Sequence, residues 1–264
     1  IYTGTIMLFM DKTVTANVAI RTIELVKRGD TKFFSGNLPV GSGIVWDSEP
    51  AAEYQEIKKK AEFLTTKSNN FYLFETILWD GAGFTLLDLH LKRLRQSAEF
   101  FLFRFDPDKI MNVLNEVSVH GRKFIVKLIL EKWGNLRIEL REFNPHEEPL
   151  RAKPVYGKVK SNDRFLYFKT SNRLMYDEEF SKARAEGHDE CIFVNEAGFV
   201  TEGSRNNVFY SINGKLYTPP VSDGLLPGVF REEMLNNKTC SERSIPIDEA
   251  KDVTEWFIGN SVYG

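Results

Sequence analysis

The segment DRFLYFKTSNRLMYD, residues 163–177, carries the most informative lysine of the sequence. The run Phe165–Phe168 is apolar and aromatic, which predicts a buried strand or turn. Lys169 follows this run directly, and small polar side chains then lead into a helix-like stretch from Arg173 to Tyr176. An ammonium group therefore stands beside a piece of chain that favours a dry environment.

Lys169 has two interpretations. A lysine at a strand end commonly packs its methylene stem and leaves its ammonium group in water. Alternatively, burial and neighbouring cations lower the pKa of a lysine, and the neutral amine becomes a nucleophile toward carbonyl groups. The rest of the sequence has to distinguish between them.

The composition bounds the class of protein. Of 264 residues, 42% are hydrophobic and 27% are charged, with a net charge of −2. The chain can therefore form a sizeable core, and it lacks the cationic surplus that nucleic acid or an anionic membrane surface would require of a partner. No apolar run approaches the ~20 residues that span a bilayer. The two cysteines, Cys191 and Cys240, do not indicate a disulfide and favour a reducing cytoplasm.

A polar linker, TTKSNN at residues 65–70, divides the chain. Before it, residues 1–46 have the pattern of β-strands and turns, and an amphipathic helix is predicted up to Leu64. After it, strands alternate with a few helices, and hairpins are frequent. We therefore predict a mixed α/β fold with much antiparallel sheet, in two domains, 1–66 and 67–264.

Four features could assist a reactive lysine, although each also has an ordinary explanation. Arg93 flanks the buried stripe of a predicted helix and is either a surface charge or a fork for a phosphate. The Pro-Gly turn in LLPGVFRE starts a helix whose free amides, at Val229 and Phe230, can hold an anion. Glu202 follows a hairpin strand, where most glutamates are solvated. The ending IGNSVYG, residues 258–264, is a weak signal by itself.

Taken together, these features fit one ligand. The lysine suits an aldehyde, the arginine and the helix N-terminus suit a phosphate, and the carboxylate suits a pyridinium nitrogen. That combination describes pyridoxal 5′-phosphate.

Residues 71–264 also resemble the class IV aminotransferases, the fold-type IV pyridoxal phosphate enzymes. The matching stretches occur in the family's order: FETILWDGAGFTLLDLHLKRL, DRFLYFKTSNRLMYD, DECIFVNEAGFVTEGSRNNVFY, TPPVSDGLLPGVFRE and FIGNSVYG. The resemblance implies two α/β subdomains, a homodimer, and Lys169 as the Schiff-base lysine and catalytic residue. It also implies Glu202 as the partner of the ring nitrogen. The implied phosphate site consists of Arg93, Val229, Phe230 and Asn260.

One residue differs from the pattern of the branched-chain transaminases, and this difference narrows the choice of branch within the family. Branched-chain transaminases carry a tyrosine five residues after the lysine, where this sequence has Leu174. The sequence KTSNRL more closely resembles the 4-amino-4-deoxychorismate lyase branch. This resemblance implies aminodeoxychorismate as the substrate, with pyruvate and p-aminobenzoate as the products. A D-amino-acid or branched-chain transaminase, or a non-catalytic partner subunit, remains as an alternative.

Residues 1–66 resemble the C-terminal end of chorismate-binding enzymes of the aminodeoxychorismate and anthranilate synthase type. This second resemblance implies a β-rich fragment plus a helix. On that pattern Glu56 is a Mg²⁺ ligand. The implied contacts to chorismate come from Tyr2, Arg21, Gly43 and Lys60.

This chorismate site is incomplete, because the other metal-binding glutamates of such enzymes are absent from the sequence. Mg²⁺ is therefore expected only for a complete synthase domain. The chain begins without methionine, and we expect it to be part of a longer bifunctional p-aminobenzoate synthase. The resemblance also implies a glutamine amidotransferase subunit as a partner.

Overall fold

The computed structural model describes residues 5–10, 13–18, 24–27, 29, 34–41, 45–65, 71–117, 121–145 and 149–264. The chain forms two compact units, Ile1–Asn70 and Phe71–Gly264. Among the helices in these ranges, none has the length and apolar character that crossing a membrane requires.

In the part of the first unit that the structure describes, there are two antiparallel strand pairs and one helix. Strand β1 (Thr5–Met10) pairs with β2 (Thr13–Val18), and β3 (Glu24–Lys27) pairs with β4 (Phe34–Asn37). Helix α1 spans Pro50–Thr65, and its first residue is a proline, whose fixed φ suits that position. The predicted order of strands followed by a helix is therefore present.

The second unit begins with a three-stranded antiparallel sheet, in the order β5 (Leu73–Trp79), β6 (Phe124–Leu130) and β7 (Leu136–Glu142). Helices α2 (Leu87–Phe100) and α3 (Pro107–Val117) supply apolar residues to the same core. Alternate residues of a strand face opposite sides. One face of the sheet therefore joins this core, and the other is free to line a cavity.

Among the described residues, the larger sheet of the second unit has seven strands. Its main path runs β13 (Ser241–Glu242), β12 (Lys215–Thr218), β11 (Asn207–Ile212), β10 (Val200–Gly203), β9 (Glu190–Asn195) and β8 (Ala152–Val159), and β14 (Glu255–Gly259) pairs with β11. Helices α4 (Leu174–Ala185) and α5 (Val229–Asn236) accompany it, with 3-10 turns at Arg164–Tyr167, Val221–Asp223 and Ile247–Asp252. The predicted mixed α/β class, with two sheets in this unit, is confirmed.

The chain around Lys169 joins the two sheets. The Phe74 amide donates to the Lys169 carbonyl at 3.2 Å, and the Ser171 amide donates to the Tyr72 carbonyl at 2.9 Å. The segment thus extends the free edge of β5 before α4 begins. This pairing fixes Lys169 where the two sheets meet.

The aromatic run before Lys169 is a 3-10 turn, one of the two forms predicted for it, and it is begun by Asp163, whose side chain accepts from the Phe165 amide. Helix α2 ends at Phe100, and Leu102 takes a left-handed φ of 56°. The last strand ends at Gly259, and residues 260–264 form a turn closed by the Gly264 amide bonding to the Asn260 carbonyl at 3.0 Å.

Candidate active site

Lys169 is half-buried, and its Nζ lies 4.8 Å from the centroid of the Phe74 ring. Burial disfavours the ammonium form and the nearby Arg93 repels it, so the pKa of Lys169 falls from 10.5 to about 7 despite the opposing charges of Glu75 and Glu202. A substantial fraction of the side chain is therefore a neutral amine near pH 7. This supports the nucleophile interpretation over that of a solvated strand-end lysine.

Arg93 lies on α2 and is buried, not a surface charge. Its Nε donates to Glu75 Oε1 at 2.9 Å, and its Nη2 donates to Glu75 Oε2 at 2.5 Å. The third nitrogen, Nη1, donates to the carbonyl of Pro227 at 3.2 Å. The guanidinium is thus held rigidly between β5 and the turn that leads into α5.

Glu75 is also in contact with a histidine, since His90 Nδ1 lies 2.7 Å from Glu75 Oε2. Burial alone would raise the pKa of Glu75, but the charge of Arg93 and the hydrogen bonds from His90 and Arg93 outweigh it and hold that pKa at about 2. Burial lowers the pKa of His90 in spite of Glu75. The carboxylate is therefore ionised at neutral pH and fully committed to Arg93 and His90.

Helix α5 presents its first amides without a side-chain cap. Gly228 precedes the helix, and a Cβ at this position would lie 1.6 Å from Asn207 Oδ1, so only glycine fits. Asn207 in turn donates from Nδ2 to the Leu226 carbonyl at 3.0 Å. Helix amides without a cap can bind an anion, and those of Val229 and Phe230 are so placed.

Glu202 lies on β10 and is 7% exposed, so it is not a solvated turn residue. The hydroxyl of Tyr176 donates to its Oε1 at 2.8 Å. Burial raises the pKa of Glu202 to about 7, although the hydrogen bonds from Tyr176 and the Leu226 amide, with the charges of Arg173 and Lys169, oppose that shift. A cation placed beside this carboxylate would favour its ionised form.

Asn260 organises the turn that ends the chain. Its Oδ1 accepts from the amides of Val262 at 2.8 Å and Tyr263 at 3.2 Å. Its Nδ2 donates to Asn206 Oδ1 at 2.5 Å. The side chain therefore bridges the terminal turn and the loop that follows β10.

A cavity of about 580 Å³ brings these groups together. Such a volume lies in the usual range for a small-molecule site. Six predicted residues line it: Arg93, Lys169, Glu202, Val229, Phe230 and Asn260. An amine of lowered pKa, a buried carboxylate, an arginine and an uncapped helix surround one space, and this set of donors fits pyridoxal 5′-phosphate.

The residues predicted to contact chorismate are only partly described. Tyr2, Arg21 and Gly43 lie outside the described residues. Glu56 and Lys60 form an ion pair one turn apart on α1, and Lys60 Nζ also donates to the Gly41 carbonyl at 3.0 Å. Within the described ranges, no group of three or more histidine, cysteine, aspartate or glutamate side chains is arranged to hold a metal ion. The role of Glu56 in binding Mg²⁺ stays a prediction.

Sequence reasoning missed three residues of this region. Glu75 stands inside the quoted FETIL stretch, yet nothing local indicated that it would pair with Arg93. Tyr176 is seven residues after Lys169, where the first turn of α4 could have indicated that it faces the same space. Glu190 gave no signal beyond being a charged residue at the start of an apolar strand. The two cysteines are buried free thiols.

Known proteins resemble both parts of the chain. A family model described as amino-transferase class IV matches residues 72–264, and one described as chorismate binding enzyme matches residues 1–66. A Schizosaccharomyces pombe protein, provisionally assigned as an aminodeoxychorismate lyase, is 31% identical over 182 residues, or 64% of this chain and 75% of that protein. The aminodeoxychorismate lyase of Bacillus subtilis is 26% identical over 196 residues, or 62% of this chain and 64% of that protein.

Solved structures share the fold of the second unit. The crystal structure of a Mesorhizobium loti protein, provisionally assigned as an amino-acid aminotransferase, has a TM-score of 0.68 and 32% identity, and the match covers 74% of this chain and 97% of that chain. A Mycobacterium tuberculosis protein described as a hypothetical aminotransferase shares the fold, with a TM-score of 0.63 and 19% identity, over 72% of this chain and 78% of that chain, and it has been solved in a form with pyridoxal 5′-phosphate bound. Since the family model matches well over half of its residues, this chain belongs to the amino-transferase class IV family.

Proposed function

We propose that residues 71–264 form a pyridoxal 5′-phosphate-dependent 4-amino-4-deoxychorismate lyase that releases pyruvate and p-aminobenzoate. The observation that carries the proposal is Lys169, an amine whose pKa is about 7, in one cavity with Arg93 and Glu202. The names of the relatives from fission yeast and Bacillus subtilis support the lyase reaction in particular.

The cavity residues divide into those that would hold the cofactor's ring and those that would hold its phosphate. Lys169 would carry the cofactor, and Glu202 would face its ring nitrogen. Arg93, the Val229 and Phe230 amides and Asn260 would surround the phosphate. The cofactor, when bound, supplies an acceptor for the electrons left behind when a proton leaves the substrate carbon that bears the amine.

Lys169 has two tasks in this reaction. Once the substrate amine has replaced it on the cofactor, Lys169 would be a free neutral amine and would take the proton from the substrate carbon bonded to the amino group, which its lowered pKa permits near pH 7. As the resulting ammonium, it donates a proton to the departing enolpyruvyl oxygen. The carbon–oxygen bond breaks, the six-membered ring becomes aromatic, and pyruvate leaves.

Glu202 has an electrostatic task. A buried carboxylate beside the ring nitrogen would stabilise its protonated form, because the attraction between opposite charges is stronger in a site shielded from water. Tyr176 and the Leu226 amide donate to Glu202, and because each carboxylate oxygen can accept more than one hydrogen bond, the carboxylate could still accept from the ring nitrogen.

A class IV transaminase is the second candidate, favoured by the likeness to the Mesorhizobium loti aminotransferase. Leu174, where branched-chain transaminases have tyrosine, argues against that branch. The test supplies aminodeoxychorismate and pyridoxal 5′-phosphate without any 2-oxo acid. A lyase releases pyruvate and p-aminobenzoate in equal amounts, whereas a transaminase requires the 2-oxo acid and yields a new amino acid.

We further propose that the chain has two domains, 1–66 and 67–264, and that the first is the C-terminal part of an aminodeoxychorismate synthase. The family match to residues 1–66 supports this arrangement. Two consecutive steps toward p-aminobenzoate would then be joined in one bifunctional enzyme. Mg²⁺ at Glu56 in a complete synthase domain, a glutamine amidotransferase subunit, a homodimer and a cytoplasmic location belong to the same proposal.

A further inference from the structure

Glu190 is a buried carboxylate that the proposed reaction does not use. It begins β9 and is 2% exposed. Its Oε1 accepts from the Cys191 amide at 2.8 Å, from the Ser204 amide at 3.0 Å and from the Ser204 hydroxyl. Its Oε2 accepts from Asn206 Nδ2 at 2.6 Å. Both oxygens are therefore occupied by neutral donors, one from the next residue of β9 and the others from the loop that follows β10.

The carboxylate fixes the orientation of two amide side chains in series. An ionised carboxylate can only accept hydrogen bonds, so Asn206 must turn its Nδ2 toward Glu190 and its Oδ1 away. Asn260 Nδ2 then donates to Asn206 Oδ1 at 2.5 Å. The Oδ1 of Asn260 is then left facing the amides of Val262 and Tyr263.

We propose that Glu190 and Asn206 are positioning residues that set the orientation of Asn260 and thereby shape the terminal turn for the cofactor phosphate. The part of this inference that concerns the phosphate rests on the proposed function. The order of donors and acceptors along Glu190, Asn206 and Asn260 is independent of it. Both asparagines line the cavity, whereas Glu190 is not among the lining residues and contacts Asn206 from outside the cavity.

Glu190→Gln tests the order of donors and acceptors. The new amide group at position 190 must point an N–H at either Asn206 Nδ2 or the Ser204 donors, so two donors face each other. We expect amide hydrogen exchange at Val262 and Tyr263 in the cofactor-free protein to become about tenfold faster, as for a lost buried hydrogen bond. The dissociation constant for pyridoxal 5′-phosphate should rise by a similar factor, about tenfold.

Asn206→Asp is the reciprocal change. It places a second carboxylate against Glu190, where the present contact is 2.6 Å, and like charges at that separation repel. We expect the same losses in exchange protection and in cofactor affinity. Glu196→Gln is the matched control. The Glu196 carboxylate also accepts hydrogen bonds, but its donor is Ser161 rather than Asn206 or Asn260. It should leave both measurements unchanged.

The double variant Glu190→Gln with Asn206→Asp is the decisive arm. The new amide at position 190 can donate to the new carboxylate at position 206, which still accepts from Asn260. The original order of donors and acceptors is therefore restored at Asn260. Amide exchange at Val262 and Tyr263 should then recover to within about threefold of the unsubstituted protein, and so should the affinity for the cofactor. Two merely structural losses would instead add together.

Unchanged exchange in Glu190→Gln, or a double variant no better than the single ones, would overturn the inference. If Glu190→Gln does not fold, a folded double variant with protected amides supports the inference, and an unfolded one contradicts it. Changed exchange with unchanged cofactor affinity contradicts the phosphate role assigned to the turn. Failure of the proposed function itself is recognised separately, because the unsubstituted protein would then not bind pyridoxal 5′-phosphate.

Discussion

Two buried carboxylates of the cavity region behave in opposite ways. Glu75, on β5, is paired with Arg93 and His90, and its pKa is held at about 2. Glu202, on β10, has a phenol hydroxyl as its side-chain partner, and its pKa is raised to about 7. Burial acts in the same direction on both, so the difference comes from the charge of the partner. The first carboxylate is neutralised by the protein, whereas the second is suited to a cation that a ligand brings.

Removing the internal cation would break this contrast most strongly. Arg93→Met leaves Glu75 buried without its counter-charge, and breaking such a pair costs about 3–5 kcal/mol. We expect that loss in the free energy of unfolding measured with urea, together with weaker binding of pyridoxal 5′-phosphate. Arg95→Met, an exposed arginine of the same helix, is the control. A loss below ~1 kcal/mol in Arg93→Met would show that Glu75 does not depend on this arginine.

Neutralising the second carboxylate tests whether it serves the ligand. Glu202→Gln keeps the shape of the side chain but cannot stabilise a protonated ring nitrogen. We expect turnover to fall by ~10²–10³-fold, as for loss of one electrostatic stabiliser, with a much smaller change in cofactor affinity. Glu186→Gln, at an exposed ion pair with Lys153, should have no effect. A change in turnover below about twofold at Glu202 would return that residue to a structural role.

The pH dependence of folding should separate the two carboxylates by sign. Glu75 has a lowered pKa, so its contribution to the free energy of unfolding is lost as pH falls from 4.5 toward about 2. Glu202 has a raised pKa, so folding loses stability as pH rises from 4.5 toward about 7. We expect Glu75→Gln to reduce the pH dependence of the free energy of unfolding between pH 4.5 and about 2, and Glu202→Gln to reduce it between pH 4.5 and about 7. The measurement is urea unfolding of the cofactor-free protein. Equal slopes before and after either substitution would contradict the assigned pKa.

Much of this arrangement followed from the sequence, and the remainder depends on contacts between distant residues. Lys169 and Gly228 carry local signals, an aromatic run and a Pro-Gly turn, that predicted a candidate reactive amine and a helix N-terminus. The partner of Arg93 is 18 positions away in the chain and meets it only when α2 packs on β5. Tyr176 and Glu202 are 26 positions apart and lie on different elements. Burial and pairing of charges are set by such tertiary contacts, which periodicity does not reveal.

The smallest change concerns Tyr176. Tyr176→Phe removes the hydrogen bond that lowers the pKa of Glu202, so that pKa should rise further above its ordinary value. The carboxylate is then protonated at a higher pH, and the acidic limb of the kcat/KM profile should move up by roughly one pH unit. Tyr210→Phe, which removes a buried hydroxyl bonded to the Arg243 carbonyl, is the control. An unshifted acidic limb in Tyr176→Phe would mean that the phenol does not set the charge of Glu202.

Lys169, whose amine is influenced by the charges of both carboxylates, is the residue on which the proposed reaction depends most. The direct measurement is to add pyridoxal 5′-phosphate, reduce the carbon–nitrogen double bond with borohydride, digest the protein and locate the pyridoxyl group by mass spectrometry. We predict one modified peptide, labelled at Lys169, and no label there in Lys169→Ala, which should also lose lyase turnover while remaining folded. A label at another lysine such as Lys127, or full turnover in Lys169→Ala, would contradict the account.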